Sequence, residues 1–118
     1  MARADISRGE LWWVDWSPGR GSEQAGRRPA LVIQTEAANR NARYPNVIVA
    51  AVSTKGRDLP FHLQLEPSAE NGLAEVSFAK CEQIFTVNKE RLERRLGRIS
   101  ASQLEAVGRA LKMVVELA

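Results

Sequence analysis

Apolar and polar positions alternate along the chain in short blocks, and the blocks predict strands first and a helix last. ELWWVDW, residues 10–16, is rich in aromatic and β-branched residues. At period two, Trp12, Val14 and Trp16 share one strand face, with Leu11 and Trp13 on the other. SPGRGSEQAGRR, 17–28, has turn chemistry throughout. PALVIQ, 29–34, reads as a buried strand with Pro29 first, where a missing N–H does least harm. Thr35 followed by EAANRN predicts a brief helical turn capped by the threonine hydroxyl. NVIVAAVS, 46–53, is the clearest buried strand, and PFHLQLE, 60–66, alternates as a half-exposed one. Residues 74–87 predict one or two strands centred on EVSF and EQIFTV, and RRLGRI adds a short one. Ser100 and Gln103 have capping-box spacing, and Leu104, Val107, Leu111, Val114 and Val115 follow at helical period. The expected fold class is mainly β and antiparallel, with short helices and a C-terminal α-helix.

Composition narrows the class. A length of 118 residues suits one domain spanning 1–118, and 26% charged residues is ordinary for a globular chain. No apolar run approaches the roughly 18 residues of a membrane span. MARADISRGELWW carries charges where a signal peptide has its apolar region, so a cytoplasmic location is expected. The single cysteine, Cys81, excludes an internal disulfide and reads as a small buried hydrophobe.

The net charge of +3 is mild, but its placement is uneven. Residues 17–45 hold Arg20, Arg27, Arg28, Arg40 and Arg43 against Glu23 and Glu36. Residues 88–98 hold Lys89, Arg91, Arg94, Arg95 and Arg98 against Glu90 and Glu93. Two basic segments on a near-neutral body point to a polyanionic partner. The second segment, away from the glycine-rich loop, reads as a solvated face.

Several chemistries are disfavoured by counting. One histidine, His62, cannot form a pair within the chain, and its place in an alternating strand favours a structural role. Asp5, Asp15 and Asp58 lie far apart, without the convergence a hard cation needs, and one Cys with one His makes zinc a poor fit. No cofactor is expected, since no Walker-type or dinucleotide-type glycine motif is present. Arginine, hydroxyls and a glutamate remain. Arg28 stands at a loop–strand junction, and its guanidinium presents a planar fork that matches two phosphate oxygens. Ser53 and Thr54 end the strand 46–53. If the two strands neighbour each other, Arg28 and Ser53 can face one phosphate.

RGELWWVDWSP, then GSEQAGRRP, LVIQ, the Asn39–Arg40 pair, VIVAAVSTK, LPFHLQL and EQIFTVNKERL occur in that order. This succession resembles the MazF/PemK toxins, the ribonucleases of type II toxin–antitoxin pairs, over nearly the whole chain. GSEQAGRRP carries the most specific part of the likeness, and RRLGRIS with the amphipathic helix fits the same pattern. The resemblance implies a small twisted antiparallel β-barrel of PemK/CcdB type and a homodimer with RNA lying across its interface. It further implies sequence-specific, metal-independent cleavage of single-stranded RNA, leaving 2′,3′-cyclic phosphate and 5′-hydroxyl ends, and a cognate acidic antitoxin as partner.

Carried over by residue, the catalytic arginine before the proline is Arg28, the hydroxyl ending the VIVAA strand is Ser53, and the acidic residue of GSEQ is Glu23. Ser22, Gln24, Arg27, Thr54, Lys55, Glu82 and Gln83 become RNA-binding candidates. Ser53 stands where the family has threonine, so Thr54 is an alternative working hydroxyl. Phe85 stands where the family often has a basic residue, and reads as core. Trp13 is a candidate contact for a second copy or the antitoxin. Two rival readings keep the fold: a CcdB-like inhibitor of gyrase, which has no need of Arg28, Glu23 and Ser53, and a catalytically silent RNA-binding module.

Overall fold

The structure is a computed structural model that describes residues 1–16 and 26–118. Its strands are β1 (Glu10–Asp15), β2 (Arg27–Val32), β3 (Asn46–Ser53), β4 (His62–Leu65), β5 (Ser77–Asn88) and β6 (Leu92–Arg98). The helices are α1 (Glu36–Asn39) and α2 (Ala101–Val114), with a 3-10 turn at Lys89–Arg91. The strands form one antiparallel sheet in the order β4-β5-β3-β2-β1-β6. The expected fold class holds, with one correction: no ladder joins β4 to β6, so the sheet curls without closing into a barrel.

Both sheet faces carry a core, as the apolar residues on both sides of ELWWVDW require. Leu11, Leu31, Val52, Leu65 and Cys81 form one cluster with Val107 and Ala110 of α2. Trp12, Val14, Trp16, Val32, Val47 and Val49 form the other, against which Phe85 packs. Phe85 meets Trp16 edge-on with ring centroids 5.0 Å apart, so it is core, as read.

The helix ends show where side-chain chemistry was and was not used. α2 begins with the expected capping box, Ser100 accepting from the Gln103 N–H and Gln103 from the Ser100 N–H. Thr35 caps differently from expectation. Its hydroxyl makes no capping bond, and its backbone carbonyl accepts from Ala38 and Asn39 N–H instead.

The other end of α1 is held by Lys89, which is fully buried. Its ammonium donates to the carbonyls of Ala38 (2.9 Å), Asn39 (3.2 Å) and Asn41 (3.0 Å). A lysine has three N–H donors, and all three are used. The arrangement gives the Asn39 carbonyl its donor, adds to the backbone N–H bonds that the Ala38 and Asn41 carbonyls accept from Asn41 and Tyr44, and places a cation at the negative end of the helix dipole. Burial pulls the Lys89 ammonium below the ordinary lysine range. The basic segment 88–98 is therefore not one solvated face.

Glu10 performs the matching task at the sheet's far edge. Its buried carboxylate accepts from Ser7 N–H at 2.7 Å, Trp12 Nε1 at 3.1 Å and Arg95 Nη1 at 2.8 Å. One side chain thus ties the entry turn, β1 and β6 together. The turn before Leu73 closes on β6 through two glycines. A Cβ on Gly72 would strike the Leu96 carbonyl, and one on Gly97 the Glu70 carbonyl. Gly72 also has φ +68°, the left-handed region where side chains are disfavoured.

Two measurements test this account. Lys89→Met leaves the Asn39 carbonyl without a donor, strips one bond each from the Ala38 and Asn41 carbonyls, and should lower the unfolding free energy by about 1–3 kcal/mol, with an unchanged m-value in urea. Lys89→Arg should not restore it, since a planar fork cannot serve three convergent carbonyls. An unchanged denaturation midpoint for Lys89→Met would refute the capping role. Cys81 is fully buried, and burial, with the Glu82 carboxylate adding to it, pushes its thiol up to about 11. At about pH 8, native protein should react with a thiol reagent far more slowly than protein in urea. Equal rates would contradict the packing.

Candidate functional site

The β2–β3 ladder answers the question the sequence left open. Ala30 pairs with Ala51, Leu31 with Ala50 and Val32 with Val49. Continued past Ala30, this register brings Arg28 opposite Ser53, and partners across an antiparallel pair share a face. The strand begins at Arg27, not at Pro29 as read, but the ladder to β3 starts one residue past the proline. The missing N–H therefore removes no bond to β3.

Arg28 is exposed, and its guanidinium makes no hydrogen bond or ion pair among the described residues. Ser53 is half-buried, and its Oγ accepts from Lys55 N–H at 3.1 Å. That bond occupies an oxygen lone pair and leaves the O–H free to donate outward. It also supplies the orientation that a threonine methyl would otherwise provide.

Arg28 and Ser53 line one cavity of about 340 Å³, together with Arg27, Thr54, Trp13, Arg94, Leu73 and Glu75. The cavity wraps the rim of the sheet, so residues from both faces reach it. Trp13 comes from the Leu11 face, while Arg28 lies opposite Val14. Lys55, Glu82 and Gln83 gather around a second cavity with Arg57, His62 and Lys80. Consecutive residues, Thr54 and Lys55, line the two cavities. Glu23, Ser22 and Gln24 lie outside the described residues.

The second cavity contains a residue that the sequence reading set aside. His62 Nε2 lies 2.8 Å from Glu82 Oε2 and 3.1 Å from Oε1. Its Nδ1 accepts from Arg57 N–H at 3.1 Å, which assigns the neutral ring's proton to Nε2. His62 therefore anchors the segment that follows Ser53 and orients Glu82. Strand alternation alone concealed this, because Glu82 comes from a strand that follows in sequence. A break in the β3–β5 register between Ala50 and Ala51 lies beside Glu82 and Gln83. Ala50 pairs with Ile84 and Ala51 with Lys80.

Arg94 was likewise missed. β6 runs beside β1, pairing Arg94 with Trp13, and so brings it to the Arg28 cavity. Arg27 is engaged, its Nε 2.7 Å and Nη2 3.3 Å from the two Glu93 oxygens. Hydrogen bonding to Glu93 raises its guanidinium above the ordinary arginine value. Among the described residues, no group of three or more His, Cys, Asp and Glu converges as a metal site would require.

Residues 7–115 match the family model described as PemK-like, MazF-like toxin of type II toxin–antitoxin system. The chain is 38% identical to endoribonuclease MazF9 of Mycobacterium tuberculosis, over 95% of this chain and 98% of that one. It is 34% identical to endoribonuclease EndoA of Bacillus subtilis, over 95% of this chain and 96% of that one. The crystal structure of MazF from Deinococcus radiodurans superposes with a TM-score of 0.77 at 26% identity, covering 95% of this chain and 97% of that one. Motifs, sheet order and these similarities agree: the chain belongs to the PemK-like, MazF-like toxins of type II toxin–antitoxin systems.

Proposed function

We propose that the protein is an endoribonuclease toxin that cuts single-stranded RNA at short sequence motifs by attack of the RNA's own 2′-hydroxyl. One observation carries the reading: a guanidinium unpaired among the described residues and a pre-oriented hydroxyl, carried by the adjacent strands β2 and β3, line the same cavity. In-line attack needs positioning of the phosphate and stabilisation of the charge that builds on its oxygens. Arg28 supplies two charge-assisted bonds to the phosphoryl oxygens, and Ser53 donates a third. Products are a 2′,3′-cyclic phosphate and a 5′-hydroxyl. Glu23 is the candidate proton acceptor or base contact. Ser22, Gln24, Arg27 and Thr54 hold the strand near the scissile phosphate, and Lys55, Glu82 and Gln83 hold it along the second cavity. The chemistry on offer is arginine and hydroxyl, so no metal is required.

The protein acts as a homodimer in the cytoplasm and is silenced by a cognate antitoxin. An acidic, disordered antitoxin segment that folds on binding suits the basic rim around Arg28 and Arg94.

The reading is tested with mixed-sequence single-stranded RNA in excess EDTA and mapping of the product ends. Wild type should cut at one recurring motif and leave cyclic-phosphate ends. Arg28→Ala and Ser53→Ala should each lower kcat roughly a hundred- to a thousandfold, while Ser53→Thr keeps activity. A 2′-deoxy residue at the cut position should abolish cleavage. RNA bound but never cut would favour the silent module, and cleavage that survives Arg28→Ala would remove Arg28 from the mechanism.

A further inference from the structure

Beside the Arg28 cavity the surface continues over a ledge made by Trp13, Arg27, Glu93 and Arg94. Trp13, Arg27 and Arg94 line both, so cleft and ledge are one continuous surface. Of the three tryptophans, Trp12 and Trp16 are buried, at 4% and 8% exposure, while Trp13 is half-exposed. An indole in a partly exposed position on a strand, beside exposed arginines, is not explained by packing.

The arginines differ in how free they are. Arg27 is held in place by two bonds to Glu93. Glu93 falls at a shift in the β1–β6 register, where Trp13 pairs with Arg94 and Val14 with Leu92. Arg94 is exposed, and its guanidinium makes no hydrogen bond or ion pair among the described residues. The ledge thus offers an aromatic surface, a fixed guanidinium and a free one.

We infer that this ledge is a nucleotide subsite. The base next to the scissile phosphate stacks on Trp13, and Arg94 takes the phosphate that follows it. Single-stranded nucleic acid is held in this way, by stacking on aromatic rings with cationic contacts to the backbone. The inference deepens the ribonuclease reading and rests on it. An RNA ligand is favoured over a protein contact because the ledge continues without a break into the cavity of Arg28 and Ser53, and its uncompensated charge is a guanidinium.

The test uses a mixed-sequence single-stranded 2′-fluoro RNA, which cannot be cut by 2′-hydroxyl attack. Binding should quench tryptophan fluorescence through Trp13, the most accessible indole. Trp13→Phe should bind almost as well as wild type and lose that quenching. Trp13→Ala should bind about tenfold more weakly or worse. Arg94→Ala should weaken binding and reduce the slope of log affinity against log salt by about 0.7. Thermal melts identify any variant that fails to fold, in which case Trp13→Phe and Arg94→Ala decide. Unchanged affinity, quenching and salt slope, in a protein whose wild type binds and cuts RNA, would overturn the subsite and leave the ribonuclease reading intact. Unchanged RNA affinity with a shifted oligomeric state would assign the ledge to protein contact and also overturn it. A wild type that neither binds nor cuts RNA would remove both.

Discussion

An antiparallel ladder fixes which face each side chain takes, and the pairing of Ala30 with Ala51 is the constraint on which the site depends. With a side-chain period of two, slipping that register by one residue would turn either Arg28 or Ser53 to the far face. The cores on both sheet faces resist the slip. Moving Leu31 or Val32 by one position would exchange residues between two clusters of different shape. Apolar packing thus specifies the position of two polar side chains. The guanidinium and the hydroxyl need no bond to each other, which leaves both available to a phosphate.

Buried charges secure the remainder of the frame, one at each end of the site's support. Glu10 binds β6 to β1, and so sets where Arg94 stands relative to Trp13. Lys89 fastens α1 to the end of β5, which pairs with β3 along its length. A buried ion pair or ammonium is weak evidence for net stability, because desolvation offsets much of the gain. Its consequence here is geometric. Glu10 draws its partners from the entry turn, β1 and β6, and Lys89 joins the end of β5 to the stretch from Ala38 to Asn41, so each fixes how distant segments meet.

What was legible in the chain follows from how local each signal is. NVIVAAVS was read with the right bounds, because an unbroken apolar run ending in a hydroxyl residue leaves little choice. The α2 cap was read because both partners lie within one turn. Thr35 misled, since a hydroxyl with capping identity need not be used when the backbone carbonyl suffices. The family resemblance assigned Arg28 and Ser53, but their juxtaposition depends on a strand pairing that residue chemistry alone left conditional. Lys89 and Arg94 were not legible as frame or site residues, and His62 was legible as structural but not by its partner. Their partners lie 20 to 81 positions away, at Glu82, Ala38 and Trp13, and become neighbours only once the sheet order is known. The twisted barrel expected from resemblance holds only loosely, because no ladder joins the edge strands β4 and β6.

The distribution of arginine explains how a chain of modest charge can present a site for a polyanion. A net charge of +3 says little, because many of the cations are already committed. Arg3 bonds Asp5 and the Leu92 carbonyl and lies over the Trp12 ring. Arg8 donates to the Ile33 carbonyl, Arg40 to the Ser7 hydroxyl, Arg27 to Glu93 and Arg95 to Glu10. The carboxylates beside Arg3, Arg27 and Arg95 offset their charge towards a distant anion, whereas the carbonyl and hydroxyl bonds of Arg8 and Arg40 hold the guanidinium in place without cancelling its charge. Arg28 and Arg94 have no such acceptor among the described residues, and both line the same cavity. An incoming phosphate meets two unpaired donors there, in a cleft whose low-dielectric walls concentrate the field. The rim is therefore set apart less by the amount of charge than by its placement: pairing removes part of the charge elsewhere, while two unpaired guanidiniums converge in one cleft.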